Sequence, residues 1–430
     1  MTVRPSSRIS NLFLVRQEVA GPVIDDVAGA VADQLRSLDL GPRVRPGQTV
    51  AITVGSRGIA DVADITRTVV AYLRDVLALN PFIVPAMGSH GGATAEGQIA
   101  VLARAGITEA TMGCAIRSGM AVTAVATAPL GLGLMVDRIA MEADHLVIVN
   151  RIKPHTMYAG PVQSGLAKML TVGLGNHDGA ALYHRAFIEH GFTNVLDEAV
   201  PLLLARLPVL AGVAIVERGD DRTAIIEAIP PERIANDEPR LLRLATELLP
   251  KLPFADVDIL LVDEIGKEIS GTGFDTNVVG RKGSLHHPDP KAIARVRHLA
   301  LRSLTSQSTG NATGYGLAEF VRTQLAEAVD PHATLVNALT SGDLPAAMVP
   351  IVLSTDADIL DAALALNGLR DPADSRVVWI RNTQHITWAA CSGALLSEAR
   401  ERSDLSVHES VTPWPFDAKG NLPAFVTDLL

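Results

Sequence analysis

Three segments place side chains that could do chemistry directly after apolar runs typical of buried strands. Arg57 follows TVAITV, His90 follows PFIVPAM, and His155 follows HLVIVN. A guanidinium can hold a carboxylate through two parallel hydrogen bonds, and an imidazole that titrates near neutral pH can take up and return a proton. If the three strands are neighbours in a parallel sheet, these side chains share one crevice at the carboxyl ends of the strands. The pattern indicates a site for a small carboxylic acid that is handled by two acid/base histidines.

The segment after His155 adds an amine and a third imidazole. Lys168 lies in the apolar stretch GLAKML, where a neutral and nucleophilic amine is more accessible, although a lysine on the polar face of an amphipathic helix is the alternative. His184 lies on a predicted helix and could ligate a metal or be an ordinary interior histidine. Taken singly, Arg57 also fits a surface ion pair, and His90 also fits a structural histidine in a loop. His155 also fits a residue that caps a turn. Their shared position after strands is what favours a site.

The elements that must position these residues alternate between strand and helix. Helices are predicted at residues 23–38, 62–79, from Thr94, 162–170 and from about Ala180. Strands are predicted at residues 49–54, 81–87 and 145–149, with a weaker edge strand at 10–15. This alternation indicates an α/β fold with mostly parallel sheets. We expect two α/β domains, at residues 1–268 and 291–430, joined by a linker or lid at 269–290. The active site would lie in the cleft between them, and the last residues could pack back on the first domain.

Length and composition restrict the class of protein. A chain of 430 residues is long enough for two domains, and 48% hydrophobic residues supply ample core material. The net charge of −10 argues against nucleic acid as a partner, because no basic surface is available for phosphates. Cys114 and Cys391 are too few for a disulfide framework. With no predicted signal peptide or membrane span, these features predict a cytoplasmic protein that binds a small molecule.

Several longer segments resemble the nickel-dependent lactate racemase family and its uncharacterised homologues. The resemblance covers most of the chain, and its specific part is the order of His155, Lys168 and His184 in the third segment quoted. The segments are VGSRGI, PAMGSHGGATAEGQ, VNRIKPHTMYAGPVQSGLAKMLTVGLG with His184 after it, DEIGKEISGTGFDTNVVGR, LTSQSTGNATGYG and VVWIRNT.

The resemblance implies a nickel pincer nucleotide as cofactor, a pyridinium mononucleotide whose two sulfur arms hold nickel. By position, Lys168 would carry it covalently through a thioamide and His184 would complete the nickel coordination. His90 and His155 would be the acid/base pair. The cofactor-binding residues would further include Arg57, Ser89 and Gly91.

The implied reaction is racemisation or epimerisation at the hydroxyl-bearing carbon of a 2-hydroxy acid. The proton on that carbon is too weakly acidic for an imidazole to remove, so a hydride acceptor is needed, which the cofactor provides. The chain has Val54, Gly280 and Gly283 where the founding racemases carry Asp, Gln and Lys. We therefore expect a 2-hydroxy acid other than lactate, such as a dicarboxylate or a sugar acid.

The partners that follow are the small 2-hydroxy acid and the enzymes that mature the cofactor, with no nucleic acid and no membrane. A homo-oligomer is compatible with the sequence. Two other functions stay open. One is a carrier or binder of the cofactor or of a small carboxylate, without turnover. The other is a metallohydrolase that holds zinc with His90, His155 and His184.

Overall fold

The chain folds into two compact units. The computed structural model describes residues 5–56, 58–282 and 294–425. The N-terminal unit comprises residues 21–249, and the C-terminal unit combines residues 1–20 with residues 250–430. This division differs from the boundary predicted at residue 268. Within the predicted linker, Phe274 and Val279 are buried in the core of the C-terminal unit, and residues 283–290 lie outside the described residues.

Strands make up two large sheets and one hairpin. In the described residues they are β1 (Leu12–Gln17), β2 (Thr49–Val54), β3 (Asn80–Pro85), β4 (Ala115–Ile116), β5 (Val122–Thr127), β6 (Gly133–Asp137), β7 (His145–Arg151), β8 (Val209–Glu217), β9 (Thr223–Ile229), β10 (Asp256–Ile265), β11 (Arg295–Leu304), β12 (Phe320–Arg322), β13 (Ile351–Leu353), β14 (Val377–Ile380), β15 (Trp388–Ser392) and β16 (Leu405–Thr412).

Helices alternate with these strands along most of the chain. In the described residues they are α1 (Val27–Ser37), α2 (Val62–Ala71), α3 (Ala95–Arg104), α4 (Glu109–Met112), α5 (Arg138–Met141), α6 (Leu166–Lys168), α7 (Asn176–His190), α8 (Phe192–Arg206), α9 (Ile234–Glu247), α10 (Thr323–Ala328), α11 (Pro331–Ser341), α12 (Asp356–Ala365) and α13 (Leu396–Glu401). Single π-helical turns follow α2 at Tyr72–Val76 and α6 at Met169–Gly173.

The N-terminal unit is built on a sheet in the order β4-β3-β2-β7-β8-β9. All neighbours in it are parallel except β8 and β9. Strand β2 is apolar on both faces: Ala51 packs in one core cluster, while Val50 and Ile52 pack in the cluster on the other side. Such continuous apolar strands are typical of parallel sheets that are covered by helices on both faces. The predicted α/β fold with mostly parallel sheets is confirmed.

The C-terminal unit has an eight-stranded sheet in the order β13-β12-β11-β10-β14-β15-β1-β16. The first five strands in this order, from β13 through β14, are parallel to one another. The pairs β14–β15, β15–β1 and β1–β16 are antiparallel. Strand β1 was predicted as an edge strand, but it lies between β15 and β16. Trp379 is buried, and its indole N–H donates to Asp263 at 3.2 Å. Among residues 5–56, 58–282 and 294–425, no helix is both long and apolar enough to cross a membrane.

Candidate functional site

The three strands that precede the predicted site residues are neighbours. Strands β3, β2 and β7 are adjacent and parallel, so their carboxyl ends meet at one edge of the sheet. This confirms the sequence prediction that the segments after them come together. His90 and His155 follow β3 and β7. Arg57, the predicted carboxylate ligand after β2, lies outside the described residues.

A pocket of about 100 Å³ opens at this edge. It contains His90 and Lys168, two of the predicted site residues, together with the cation Lys153. Its walls come from the segments after β2, β3 and β7 and from α6 with its π-helical turn. The lining residues are Gly55, Ser56, Ile59, Ala86, Met87, His90, Asn150, Arg151, Lys153, Ser164, Lys168, Met169, Val172 and Gly173.

The loop that carries His90 is fixed from two sides. The Gly88 N–H donates to the Gly173 carbonyl at 3.1 Å, and the buried Gln98 side chain donates to the Gly88 carbonyl at 3.1 Å. Thr94 caps α3 by accepting the Gly97 N–H at 3.1 Å. The exposed His90 imidazole lies with Nδ1 2.6 Å from Ser56 Oγ. Because a hydroxyl can accept as well as donate, Ser56 can take the Nδ1–H and leave Nε2 as a base.

His155 lies in a loop that is closed at the pocket. Lys153 and Ser164, which both line the pocket, exchange backbone hydrogen bonds of 2.9 and 3.2 Å. Between them, the His155 N–H donates to Gln163 Oε1 at 2.8 Å. The His155 ring is buried and stacks on Tyr158, with 4.8 Å between the ring centroids. His155 is therefore beside the pocket rather than among the residues that line it.

Lys168 lies at the junction of two helical forms. The short α6 ends at Lys168, and the π-helical turn Met169–Gly173 follows at once. Such turns frequently occur at functional sites. The buried Glu238 of α9 holds the start of α6, because its Oε2 accepts the Ala167 N–H at 2.9 Å. Desolvation by this burial raises the pKa of Glu238 to about 7. Helix α6 was predicted to begin at residue 162, but the chain becomes helical only at Leu166.

His184 is held in its neutral form. Burial, together with the nearby positive charge of Lys168, lowers the pKa of His184 to about 4. The imidazole is thus uncharged at neutral pH, which is the form that binds a metal. His184 Nδ1 lies 3.4 Å from the Tyr158 hydroxyl, and the ring meets Phe187 edge to face. Tyr158 therefore contacts both histidines, because its hydroxyl lies beside His184 and its ring stacks on His155.

Ser89 and Gly91 lie in the His90 loop. Ser89 is half-buried, and Gly91 has a φ of +68°. A Cβ on Gly91 would lie 2.6 Å from the Gln98 nitrogen, so the glycine is required for the turn to pack on α3. Neither residue lines the pocket.

Among the residues that the structure describes, side chains do not make a metal site by themselves. Within the described ranges, no three His, Cys, Asp or Glu side chains converge to hold a metal ion. His90, His155 and His184 are all described, so this geometry argues against a zinc site built from them.

Sequence reasoning missed five residues that organise the site. Ser56 precedes Arg57 in the quoted motif, so its position was a usable signal. Tyr158 lies three residues after His155, within the segment of interest. Arg151 pairs with Glu217, a residue that also accepts the Ala60 N–H at 2.6 Å. Nothing in the sequence around Glu217 or Glu238 indicates these contacts.

The chain is similar to one family model and to several solved structures. Residues 15–194 match the model of the lactate racemase N-terminal domain. Solved structures that resemble the chain include a lactate racemase apoprotein from Thermoanaerobacterium thermosaccharolyticum, with 15% identity and a TM-score of 0.51 over 88% of this chain and 94% of that one. Another is a Thermotoga maritima protein, with 12% identity and a TM-score of 0.49 over 66% and 72%. No curated protein matches the sequence.

Proposed function

We propose that the chain, of which residues 15–194 match the lactate racemase N-terminal domain, is a divergent member of that family and a nickel-dependent racemase or epimerase of a 2-hydroxy acid. The observation that carries this proposal is the position of Lys168. Its amine lines the same pocket as His90, and its charge acts on His184. The proposed covalent anchor and the proposed base thus line one pocket, and the anchor is close enough to the proposed metal ligand for its charge to affect that imidazole.

The residues present suit a nickel pincer nucleotide. Lys168 would hold it covalently, and His184 would be the protein ligand of its nickel. Glycines let the two segments at the pocket, the His90 loop and the turn after Lys168, pack closely on each other. Gly88 has a φ of +60°, and a Cβ on Gly173 would lie 2.9 Å from the Ala86 carbonyl oxygen. When bound, the cofactor supplies the acceptor for the hydride that leaves the hydroxyl-bearing carbon.

The remaining groups would hold the substrate and move its proton. His90 and His155 are the proposed acid/base pair for the hydroxyl group. Lys153 adds positive charge to the pocket, which favours an anionic substrate. Arg151 lines the pocket too, but its guanidinium is paired with Glu217. Arg57 remains the proposed partner of the substrate carboxylate.

The substrate is proposed to be a 2-hydroxy acid other than lactate. Val54, at the end of β2, is buried in an apolar cluster and replaces an aspartate of the founding racemases. A buried valine cannot make the hydrogen bonds of a carboxylate, so the contacts that select the substrate must differ. A dicarboxylate or a sugar acid remains the class that we expect.

The decisive experiment is mass spectrometry of Lys168 in protein co-produced with the cofactor-maturation enzymes and nickel. We expect a covalent mass increase on the peptide that contains Lys168. The variant Lys168→Arg keeps the positive charge and should show no adduct. An unmodified Lys168 in the wild-type chain, under conditions that load a known lactate racemase, would contradict the proposal.

A further inference from the structure

Exposed apolar side chains are concentrated in one short stretch of the C-terminal unit. Among residues 5–56, 58–282 and 294–425, thirteen large hydrophobic side chains are exposed, and eight of them lie between residues 335 and 352. Single exposed hydrophobic residues are normal, whereas such a concentration marks an interaction surface. Each of the eight is between 40% and 71% exposed. We call them the apolar patch, which consists of Leu335, Val336, Leu339, Leu344, Met348, Val349, Ile351 and Val352.

Helix α11 turns its large apolar side chains away from the core. Its buried residues are Thr334 and Ala338, while the three patch residues of the helix are exposed. An amphipathic helix on the surface of a globular protein normally has the opposite arrangement. The 3-10 turn Pro345–Ala347 packs on α11, and β13 follows this turn with no other element between them. The patch therefore belongs to one continuous segment of the fold.

The segment that forms the patch carries almost no charge. Residues 331–354 contain no Lys, Arg or Glu, and their one acidic residue, Asp343, is buried. His332 is the only other side chain of the segment that can become charged. Depletion of charged residues is typical of the centre of a protein–protein interface. Because the whole chain has a net charge of −10, two copies repel each other in general, and an uncharged surface is where they can meet at the lowest electrostatic cost.

The size of the patch suits a dimer. Eight apolar side chains that are about half exposed present roughly 700 Å² of surface, more than the ~300–600 Å² of the largest apolar patch on a typical monomer. A standard protein–protein interface buries about 800 Å² on each partner, so the patch and a narrow polar rim reach that area. A contact across a two-fold axis needs a single surface that is complementary to itself. An uncharged apolar surface meets this condition.

The outer edge of β13 adds backbone groups to the patch. Strand β13 is the last strand in the described order of the sheet, and its Ile351 N–H donates to the Glu319 carbonyl, on the side of β12, at 3.1 Å. Because successive residues of a strand alternate, the N–H and C=O of Val352 face the outer edge. In an antiparallel pairing across a two-fold axis, Val352 of each copy exchanges two hydrogen bonds with Val352 of the other. Pro350 has no N–H, so the pairing cannot extend further along this edge, and association stops at two copies.

We propose that the apolar patch is the interface of a symmetric homodimer, in which α11 and β13 of one copy pack against α11 and β13 of a second copy. The contact buries the eight apolar side chains of each copy and pairs the outer edge of β13. The proposal concerns the C-terminal unit and does not depend on the proposed racemase or epimerase function.

Sedimentation velocity of the full-length, cofactor-free chain tests the proposal. At about 10 μM protein we expect one species with twice the chain mass of 45.4 kDa. Leu339→Glu and Val349→Glu each place like charges on both sides of the contact and should raise the dissociation constant at least about 10-fold. Val76→Glu is the matched control, because Val76 is 64% exposed, close to the 71% of Val349, but lies in the N-terminal unit. It should leave the dissociation constant unchanged. A wild-type chain that is monomeric at about 100 μM, or an unchanged dissociation constant in either patch variant, would overturn the proposal.

Hydrogen exchange of the wild-type chain locates the interface without any substitution, so the proposal stays testable if a glutamate variant fails to fold. Exchange is compared at protein concentrations below and above the measured dissociation constant. We expect backbone amides of residues 335–352, including that of Val352, to exchange more slowly in the dimer. Amides around Val76 should exchange at the same rate at both concentrations. A dimer that protects other residues and leaves residues 335–352 unchanged would show that the interface lies elsewhere and that the proposal is wrong.

Discussion

The three site histidines differ because their surroundings differ. His90 is exposed beside a hydroxyl, His155 accepts two backbone N–H groups, and His184 is shielded beside a lysine. The same side chain therefore has a different electrostatic environment at each of the three positions. Residue type alone could not show these differences, since they come from the contacts of each ring.

His184 should make the stability of the protein depend on pH. Its folded pKa of about 4 lies below its ordinary value of 6.5, so between these values the unfolded chain binds more protons than the folded one. The contribution of His184 is fully present above about pH 6.5 and is lost as the pH falls toward 4. We expect the melting temperature of the cofactor-free wild-type chain to fall more steeply over this window than that of His184→Gln.

The comparison between these two proteins isolates His184 from other titrating groups. Glu238 acts in the opposite direction, because its raised pKa favours the protonated folded state at lower pH. It is present in both proteins, so its effect cancels. Parallel melting curves from pH 7 to 4 would show that His184 does not titrate with a depressed pKa.

The sequence indicated the residues that are proposed to act directly, and it missed most of the residues that contact and position them. His90 and Lys168 were predictable because glycines and apolar neighbours mark their segments. The role of Glu238 was not predictable, because Glu238 lies 71 residues after its partner Ala167, on a different helix. No local sequence pattern indicates this contact. Tyr158 was overlooked because an aromatic residue in such a segment is usually part of the core.

At the scale of elements, the site depends on how closely the His90 loop approaches the π-helical turn after Lys168. Gly88 and Gly92 provide a matched pair, with φ of +60° and +67°. A Cβ on Gly88 would lie 3.1 Å from the Val172 carbonyl oxygen, whereas a Cβ on Gly92 would have nothing within 4 Å. We expect Gly92→Ala to cost about 1 kcal/mol from backbone conformation alone. Gly88→Ala should cost at least about 1 kcal/mol more.

Urea unfolding of the two glycine variants measures this difference directly. Because Gly88→Ala also displaces the segment that carries His90, it should lower activity in loaded protein more than Gly92→Ala does. Equal unfolding free energies for the two variants would mean that the loop accommodates the added methyl group of Gly88→Ala without a further cost. The proposed close fit between the loop and the turn would then be wrong.

Elements with purely local signals were predicted well. Strand β2 has the predicted bounds, because a β-branched apolar run ends there in glycine. The helix predicted at residues 162–170 was wrong at its start, since Gly165 and the Lys153–Ser164 bridge keep the earlier residues extended. The π-helical turn could not be predicted, because apolar spacing cannot separate a π turn from an α turn over five residues.

At the scale of the whole molecule, the chain does not divide into consecutive domains. The C-terminal unit takes its strand β1 from the first twenty residues, and β1 pairs with β15 and β16 nearly 400 residues later. The sequence showed a short apolar strand there but could not show its partners. An isolated strand at the start of a chain is therefore easily mistaken for an edge.

This arrangement predicts that a substitution near the start of the chain destabilises the C-terminal unit. Phe13 is completely buried in the core of that unit, while its neighbour in β1, Arg16, is exposed. Phe13→Ala should cost about 3 to 5 kcal/mol, which for a unit of this size lowers the melting temperature by roughly 6 to 20 °C. Arg16→Ala should stay within about 0.5 kcal/mol of wild type. Thermal unfolding combined with limited proteolysis should show early cleavage after residue 250 in Phe13→Ala, with the fragment of residues 21–249 protected. Early cleavage within residues 21–249 instead would contradict the assignment of β1 to the C-terminal unit.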